Sequence, residues 1–450
     1  MKLLAESPER VDVEKLIHDQ IQGDYIYMYP PRQAYYPMSR DWLEGLITSS
    51  LQRTAAQPLN LYLHFPFCRQ ICGFCNLYSV VARPGEPFAE YVDALGREAR
   101  RYSALTSDRQ IDTIYLGGGT PSILPARELD RCLSEVEDAF GTSRSRVAEV
   151  AIEVAPDTVD LAKLREFAGI GIKRVNLGLQ TTSDAGLHEI GRRHGFASAS
   201  QAIHDAMNCD FDNVCIDLIY GLPGQSVDEW CAIVEEVLMF GAPTICAYPL
   251  TLRPGTGFAH KTIALSGADQ YRKYEIARDL LCSAGYVQET HVRYVVPAKG
   301  GYRQKRNHWA GQDVLGIGAG ARGYLQDCDY RNGYSIRRRR TALEDYYAHE
   351  TADGWTATSG FYLDKDERMR RRVILGLLDL DRGRFRNEFG ADVLDMLGEQ
   401  ITHLADLELL AVESDRLRLT ENGRKYRDLI VQMFFSREVW KRIADFDYME

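Results

Sequence analysis

The chain has 450 residues, of which 45% are hydrophobic and 26% are charged, and its net charge is −10. This composition is typical of a globular protein with a large core and more than one domain, and the acidic balance argues against a nucleic-acid partner. No stretch approaches the roughly 18 apolar residues of a membrane helix, and the N-terminus lacks the apolar core of a secretory signal. Ten cysteines in such a chain predict a reducing, cytoplasmic location with no membrane partner.

Taken in chain order, short apolar strands alternate with amphipathic helices from about 60 to 330. Units of this kind predict a parallel sheet. Six of them fit an α/β fold, a partial (β/α)6 barrel, in which ligands bind at the carboxyl ends of the strands. The predicted strands are 61–65, 113–116, 149–154, 174–179, 214–219 and 245–250, and the predicted helices are 87–105, 126–140, 161–168, 197–207, 227–240 and 270–284.

The sequence changes character after about residue 340, where helices precede two short strands and a final helix. We expect a C-terminal α+β domain of winged-helix-like form there. Its arginine runs at 337–340 and 370–372 are interpreted as solvated faces or contacts to an anionic substrate, because the net charge is acidic. The predicted C-terminal elements are helices at 370–380, 391–397 and 401–407 and strands at 409–412 and 416–419. The predicted domains are an N-terminal substrate-covering extension at 1–55, a core barrel at 56–335 and this domain at 336–450.

Three cysteines follow the first predicted strand in a C-x3-C-x2-C pattern, namely Cys68, Cys72 and Cys75. Thiolates are the standard ligands of [4Fe–4S] clusters, and three ligands leave one of the four irons open to bind a further molecule. A zinc site would normally supply four ligands, and buried free thiols are the other alternative. The latter is the expected role of the cysteines that lack metal-ligand spacing, which are Cys132, Cys209, Cys215, Cys231, Cys246, Cys282 and Cys328.

Polar and glycine residues follow several of the other predicted strands. The glycines in Gly117–Thr120 allow close backbone approach, and their N–H groups suit a carboxylate-bearing or amine-bearing ligand. Glu153, Gln180 and Asp217 suit hydrogen bonds to ribose hydroxyls and an ammonium group, and Arg192 suits a carboxylate. Each of these residues alone is equally well explained as a satisfied core group, but as an ordered set they favour one ligand site.

The cysteine segment resembles that of the radical S-adenosylmethionine (SAM) superfamily. The resemblance implies that the amino and carboxylate groups of SAM bind the open iron, and that a reductant such as flavodoxin or ferredoxin supplies the electron that splits SAM into a radical. The ordered motifs resemble the oxygen-independent coproporphyrinogen III oxidase family over most of 60–330, at segments 62–68, 117–122, 152–153, 174–180, 192–193 and 217–225.

This resemblance also implies the ligand-binding residues. Cys68, Cys72 and Cys75 would hold the cluster and carry the catalysis. A second SAM molecule would bind near Ala247 and the loop 316–321, which includes Ile317. The residues implied to bind the first SAM are Tyr62, Gly118, Gly119, Thr120, Glu153, Gln180, Arg192 and Asp217.

Two departures from the oxidase decide the expected function. Leu77 stands where the oxidase has a fourth cysteine, and the Tyr-Pro-Pro segment within 24–37 differs. These features resemble the class C radical SAM methyltransferases and cyclopropanases. We therefore expect an enzyme that uses two SAM molecules to transfer a methyl or methylene group to an sp2 carbon of an aromatic intermediate in antibiotic biosynthesis, with a possible partner methyltransferase. Its tyrosines at 25–36 either cover that flat substrate or pack internally.

Two alternatives remain open. The first is a porphyrin-modifying enzyme similar to the oxidase. The second is a heme-binding chaperone of the same family, whose His-Asn and Tyr-Trp pattern is matched only in part by Arg306–Trp309. His308 is the histidine near that motif, so its effect on heme binding would discriminate the chaperone from the enzymes.

Overall fold

A computed structural model describes residues 11–106, 109–261, 263, 265–351 and 356–446. The strands are, in chain order, β1 (Tyr36–Pro37), β2 (Leu59–Phe65), β3 (Phe67–Cys68), β4 (Val80–Val81), β5 (Ile111–Gly118), β6 (Glu149–Val154), β7 (Arg174–Gln180), β8 (Asn213–Tyr220), β9 (Thr244–Pro249), β10 (Val287–Gln288), β11 (Arg293–Val295), β12 (Val314–Ile317), β13 (Arg322–Tyr324), β14 (Cys328–Asn332), β15 (Ala357–Tyr362), β16 (Leu380–Asp381), β17 (Leu410–Val412) and β18 (Arg416–Leu419).

The α-helices lie between these strands and at both ends of the described chain. They are α1 (Val13–His18), α2 (Arg40–Arg53), α3 (Phe88–Ser103), α4 (Ala126–Phe140), α5 (Leu161–Gly169), α6 (Asp184–Glu189), α7 (Phe196–Met207), α8 (Val227–Leu238), α9 (Gly267–Ser283), α10 (Arg303–Trp309), α11 (Arg339–Thr351), α12 (Lys365–Gly376), α13 (Arg382–Phe389), α14 (Val393–Asp406), α15 (Glu421–Lys425), α16 (Arg427–Ile430) and α17 (Arg437–Asp445).

The predicted α/β barrel is confirmed. Strands β2, β5, β6, β7, β8 and β9 pair in that order, and every pair is parallel. Helices α3, α4, α5, α6 with α7, and α8 connect them in turn, which gives the repeated βα unit. These strands are largely buried on both faces (every residue of β5 is buried) because helices cover the outside. Their inward positions include polar side chains such as Glu153, Asn176 and Asp217, which line a cavity.

The sheet continues beyond the six predicted strands at both edges. On one side β12 pairs parallel with β2, and β13, β14, β15 and β1 follow in antiparallel order; on the other side β11 and β10 add antiparallel to β9. The sequence did not predict these strands, because segments of two to six residues carry too little periodicity. The predicted domain boundary at 335 stays a prediction, and the sheet itself runs past it into β15.

The C-terminal region has the predicted winged-helix-like elements. A three-stranded antiparallel sheet in the order β16, β18, β17 packs with α12, α13 and α14. The helices predicted at 391–397 and 401–407 are one helix, α14, which is kinked at Leu397. Helix α14 begins at a capping box in which Asp392 and Asp395 bond each other's backbone N–H groups, and that arrangement stabilises a helix start.

The N-terminal segment is fixed between the barrel and the C-terminal region. The Ile26 N–H donates to Asp428 Oδ1 at 3.2 Å. The Tyr29 hydroxyl donates to Glu367 Oε2 at 2.5 Å and accepts from the Ser436 N–H at 3.1 Å. These contacts place the segment in the same apolar core as the C-terminal helices.

Candidate functional site

A cavity of about 170 Å³ lies at the carboxyl ends of β5, β6, β7 and β8, and we call it the cluster cavity. Ligand sites in parallel sheets form at this end. Its lining includes ten of the residues that the sequence predicted, which are Cys68, Cys72, Cys75, Gly118, Gly119, Thr120, Glu153, Gln180, Arg192 and Asp217. The topology therefore brings together residues that are far apart in sequence, and their individual roles stay predictions.

Of the three predicted cluster cysteines, Cys68 ends β3, and Cys72 and Cys75 lie in the loop between β3 and β4. These two short strands pair in parallel, so the loop is closed at its base. The Thr120 hydroxyl donates to Cys68 Sγ at 3.5 Å, and the Cys75 N–H donates to the Cys72 carbonyl at 3.1 Å. Burial raises the pKa of the Cys75 thiol to about 12. Three sulfurs around one cavity fit a thiophilic metal cluster, because bound metal keeps thiolates deprotonated.

Arg339 supports the cysteine loop from outside. Its Nη1 donates to the carbonyl oxygens of Leu77 at 3.2 Å and Ser79 at 2.9 Å. The neighbouring Arg340 binds Glu86 at 2.5 Å. Arg339 and Arg340 therefore brace the site, while Arg337 and Arg338 are exposed, as expected of a solvated face.

The glycine segment after β5 is packed onto the strand that leads to Cys68. The Gly119 N–H donates to the Phe65 carbonyl, and the Thr120 N–H donates to the Phe67 carbonyl, both at 2.7 Å. The Gly118 N–H donates to Glu153 Oε2 at 3.0 Å. The expectation that these N–H groups are open to a ligand is therefore wrong. The glycines are required instead for close approach, since a Cβ on Gly119 would lie 2.7 Å from the Phe67 oxygen.

Glu153 is a buried carboxyl group in the wall of the cluster cavity. It accepts hydrogen bonds from the Gly118 N–H and from the Tyr115 hydroxyl, both at 3.0 Å. Burial nevertheless raises its pKa to about 7, and the nearby charge of Asp217 also raises it. A cationic ligand beside Glu153 would favour the ionised form, which fits the ammonium and sulfonium groups of SAM.

Arg192 and Asp217 face the same cavity with opposite charge. Arg192 Nε is buried and has no hydrogen-bond partner within the described residues, so it fits the carboxylate of a bound amino acid. Burial raises the pKa of Asp217, which accepts from Cys215 Sγ at 3.6 Å. Gln180 has a positive φ of 74°, a strained conformation that is typical of functional positions.

Three predicted residues lie elsewhere. Tyr62 lines a second cavity, where its hydroxyl is 3.0 Å from His64 Nδ1. Ala247 and Ile317 are buried within β9 and β12, and neither is among the lining residues of the cluster cavity.

The second cavity has a volume of about 210 Å³, and we call it the aromatic cavity. It shares Glu153 and Leu77 with the cluster cavity, so the two are neighbours. Two cations, Lys305 and Arg322, lie in its wall. Its aromatic lining consists of Tyr27, Tyr62, His64, Tyr78, Tyr302, His308 and Tyr324.

The two histidines of the aromatic cavity differ in their hydrogen bonding. Both ring nitrogens of His64 are occupied, one by the Tyr62 hydroxyl and the other by the Tyr78 carbonyl, each at 3.0 Å. His308 Nε2 is buried without a partner in the described part of the chain. Burial lowers the pKa of His308 well below its ordinary value, so the ring is neutral. A neutral imidazole with an unpaired nitrogen can act as a metal ligand.

The tyrosine-rich N-terminal segment is mostly internal packing. Tyr27 lines the aromatic cavity. Tyr35 donates to Asp329 at 3.1 Å, Tyr29 to Glu367 at 2.5 Å, and Tyr25 packs 5.3 Å from the Tyr248 ring. The density of tyrosines therefore reflects how the segment is anchored, and it is weak evidence for an aromatic substrate.

The fold and the cluster cavity define a radical SAM protein. The radical SAM superfamily model matches residues 62–237, and the HemN C-terminal domain model matches residues 363–426. Membership of this superfamily implies a [4Fe–4S] cluster and SAM binding. Among the described residues, no helix is long and apolar enough to cross a membrane.

Relatives extend the similarity to most of the chain. Heme chaperone HemW of Haemophilus influenzae is 31% identical over 85% of this chain and 99% of its own length. HemW of Lactococcus lactis is 28% identical over the same shares. The structure of coproporphyrinogen III oxidase HemN from Escherichia coli superposes with a TM-score of 0.79 at 24% identity, over 92% of this chain and 99% of that one. The chain therefore belongs to the HemN-like family of radical SAM proteins that includes the heme chaperone HemW.

This membership corrects the expected activity. The expectation of a class C methyltransferase or cyclopropanase in antibiotic biosynthesis is wrong, because the relatives that match over most of the chain are named heme chaperone HemW. That expectation depended on Leu77 and on residues 24–37. Differences in so few positions are a weaker guide than similarity along 85% of the chain.

Sequence reasoning missed several cavity residues. Asn176 lies within segment 174–180 and lines the cluster cavity. Its polar side chain on a buried strand could have identified it as a site residue. Tyr302, Lys305 and Arg322 line the aromatic cavity. Tyr302 precedes a short helix, Lys305 lies within that helix and Arg322 lies in a three-residue strand, and no periodicity in the sequence indicated either element.

Proposed function

We propose that this protein binds heme in the aromatic cavity, beside a [4Fe–4S] cluster and SAM, and acts as a heme chaperone. Three properties of the cavity support this proposal: its lining of aromatic rings, its cations, and its position next to the cluster cavity. The names of the relatives support it independently.

The observation that carries the proposal is the state of His308. It combines a buried, unpartnered Nε2 with a neutral ring in the wall of the aromatic cavity. The ring lies 4.6 Å from that of Tyr324, which holds its orientation. An axial ligand of heme iron requires such a nitrogen.

In the cluster cavity we propose that Cys68, Cys72 and Cys75 bind the cluster, with SAM between Glu153 and Arg192. A cluster held by these cysteines would supply the electron that cleaves SAM, and the part of Glu153 and Arg192 would be to orient SAM. The second SAM molecule stays a prediction, since Ala247 and Ile317 are buried inside strands. Gly118, Gly119, Thr120, Gln180 and Asp217 complete the proposed SAM site.

An anaerobic heme titration tests the proposal. Wild-type protein is expected to bind about one heme per chain with the Soret band of a histidine ligand. His308→Ala is expected to bind heme at least about tenfold more weakly, a loss of about 1.4 kcal/mol. The exposed His403 provides the matched control, since His403→Ala removes the same group outside the cavity. Added imidazole should restore the spectrum of His308→Gly. Equal affinity and identical spectra for wild type and His308→Ala would refute the proposal.

A porphyrin-modifying enzyme is the second candidate. Glu153 and Leu77 line both cavities, so a ligand in one lies next to SAM in the other, and such proximity is what chemistry between them requires. Reduced, cluster-loaded protein should then form 5′-deoxyadenosine when coproporphyrinogen is added. Heme binding without this product would leave the chaperone as the better description.

A further inference from the structure

Two cysteines and a carboxylate meet on the inner face of strands β8 and β9. Asp217 on β8 pairs in register with Cys246 on β9, and Cys215 lies two residues before Asp217, on the same face of its strand. Both cysteines are buried. Their sulfurs are 3.7 Å apart, and Asp217 Oδ1 is 3.6 Å from Cys215 Sγ. We call Cys215, Asp217 and Cys246 the thiol site.

These distances match those between the ligands of a tetrahedral zinc ion. Bonds of about 2.3 Å to sulfur and about 2.0 Å to oxygen place two sulfurs about 3.8 Å apart, and a sulfur and an oxygen about 3.5 Å apart. One ligand atom from each of the three residues lies within 4.8 Å of the others. A disulfide would require the two sulfurs to be about 2.05 Å apart. The arrangement therefore suits one shared ion better than a disulfide.

Hydrogen bonds between neutral thiols give similar distances, so the charges around the thiol site decide between the two. Arg174 is 1% exposed. Among the described residues it is the one arginine whose three side-chain nitrogens are all buried without a hydrogen-bond partner. Its charge acts on Cys215 and on Asp217. Arg293, whose charge interacts with Cys246, is already bound to Glu289.

A bound zinc ion accounts for the unpaired guanidinium of Arg174. Two thiolates and one carboxylate carry three negative charges, and Zn²⁺ leaves one of them uncompensated. That one charge matches the charge of Arg174, and buried charges are normally balanced in this way. Without a metal, the hydrogen bond with Cys246 and burial raise the pKa of the Cys215 thiol well above its ordinary value, so no thiolate would face the arginine.

We propose that the thiol site binds one Zn²⁺ ion through Cys215, Cys246 and Asp217, with a water molecule in the fourth position. Binding releases one proton from each thiol to the solvent, because metal-bound thiols are deprotonated. The ion links β8 to β9 and fixes the carboxylate of Asp217, which also lines the cluster cavity. The two cysteines are 31 positions apart, so their spacing in the sequence did not indicate a metal site.

Zinc titration against a chromophoric chelator tests the site. The protein is kept anaerobic and reduced, with its iron–sulfur cluster reconstituted. Wild-type protein is expected to bind one Zn²⁺ per chain. Cys215→Ala and Cys246→Ala should bind it at least about a hundredfold more weakly, since even the loss of a residue that supports a ligand costs about 10–100-fold. Cys132→Ala, the same change at another buried cysteine, should bind Zn²⁺ as wild type does.

X-ray absorption at the zinc edge of wild-type protein needs no variant and locates the ion. The thiol site should give two sulfur neighbours at about 2.3 Å and two oxygen neighbours at about 2.0 Å. Three sulfur neighbours would place the ion in the loop of Cys68, Cys72 and Cys75 and would overturn the thiol site. Failure of wild-type protein to bind Zn²⁺, or equal affinity in Cys215→Ala, would overturn it as well. Heme binding is measured separately, so none of these outcomes decides the proposed function.

Discussion

The cluster cavity and the aromatic cavity are neighbours, but they are assembled in different ways. Most of the cluster cavity comes from the ends of consecutive parallel strands and from one loop, between residues 68 and 217. The aromatic cavity combines Tyr27 near one end of the chain with Lys305, His308 and Arg322 from short elements after the barrel. A cofactor site of the first kind is marked by local motifs, whereas a ligand site of the second kind is visible only in three dimensions.

The largest expected effect is that of Cys72→Ala, which should lose the bound cluster without losing heme affinity. Cys72→Ala should reduce bound iron from about four atoms per chain to nearly none, since three thiolates are the minimum for a SAM-binding cluster. Heme affinity should stay within about threefold if the two cavities are separate. Iron analysis and heme titration of the same samples measure both. Cys282→Ala, at an exposed cysteine outside the cavities, is the control. If Cys72→Ala lost heme affinity together with iron, the two cavities would not be separate sites.

Glu153→Gln should change stability with pH. Burial raises the pKa of Glu153 from 4.5 to about 7, so between these values the folded protein holds a proton that the unfolded chain has released. The free energy of unfolding therefore falls as pH rises through this interval, by up to about 3 kcal/mol at 1.4 kcal/mol per pKa unit. Glu153→Gln has no carboxyl group to titrate, so its free energy of unfolding should not show this decrease.

Urea unfolding without SAM at pH 5 and pH 8 measures the effect of Glu153→Gln. The variant should be more stable than wild type at pH 8 and nearly equal to it at pH 5. SAM binding at pH 8 should weaken in the same variant, since the carboxylate that faces the cation is gone. A stability gain that is independent of pH would contradict the raised pKa of Glu153.

Gly119→Ala should destabilise the wall of the cluster cavity. The added Cβ would lie 2.7 Å from the Phe67 carbonyl oxygen and 2.8 Å from the Pro66 carbonyl carbon, so the backbone must move. Such overpacking costs about 2 kcal/mol. The matched control is Gly398→Ala in α14, where nothing lies within 4 Å of the new Cβ and a gain of about 0.5 kcal/mol is expected. Similar urea midpoints for the two variants would contradict the close approach of Gly119 to the Phe67 carbonyl.

Tyr62→Leu gives the smallest expected effect and tests the border between the cavities. The resemblance to the oxidase family assigns Tyr62 to SAM, but the side chain lines the aromatic cavity. Heme affinity should fall about fivefold, equivalent to roughly 1 kcal/mol, while SAM affinity stays within about twofold. Equilibrium dialysis with each ligand separates the two results. A larger loss for SAM would assign Tyr62 to the cluster cavity.

The sequence predicted the repeated part of the fold well because its periodicity is strong. The predicted bounds 126–140 and 149–154 are those of α4 and β6, where apolar spacing changes clearly from helical to extended. Strands β13 and β14 have three and five residues and depend on pairing partners from elsewhere in the chain. Cys68 and Glu153 could be identified because each lies in a local motif. The pairing of Arg322 with Arg331 could not be predicted, because it depends on the register of two strands that the sequence did not reveal.

The anchoring of the N-terminal segment has a consequence for how the protein is made. Ile26 bonds to a residue 402 positions later, and Tyr29 accepts from one 407 positions later. A ribosome adds about 5–20 residues per second, so tens of seconds separate the synthesis of Tyr27 from that of the residues that hold its segment in place. Tyr27 itself can be held earlier, because its carbonyl accepts from Lys305 and Trp309. The contacts of Ile26 and Tyr29 form only when the C-terminal helices emerge, so the final anchoring of this segment is confined to the finished chain.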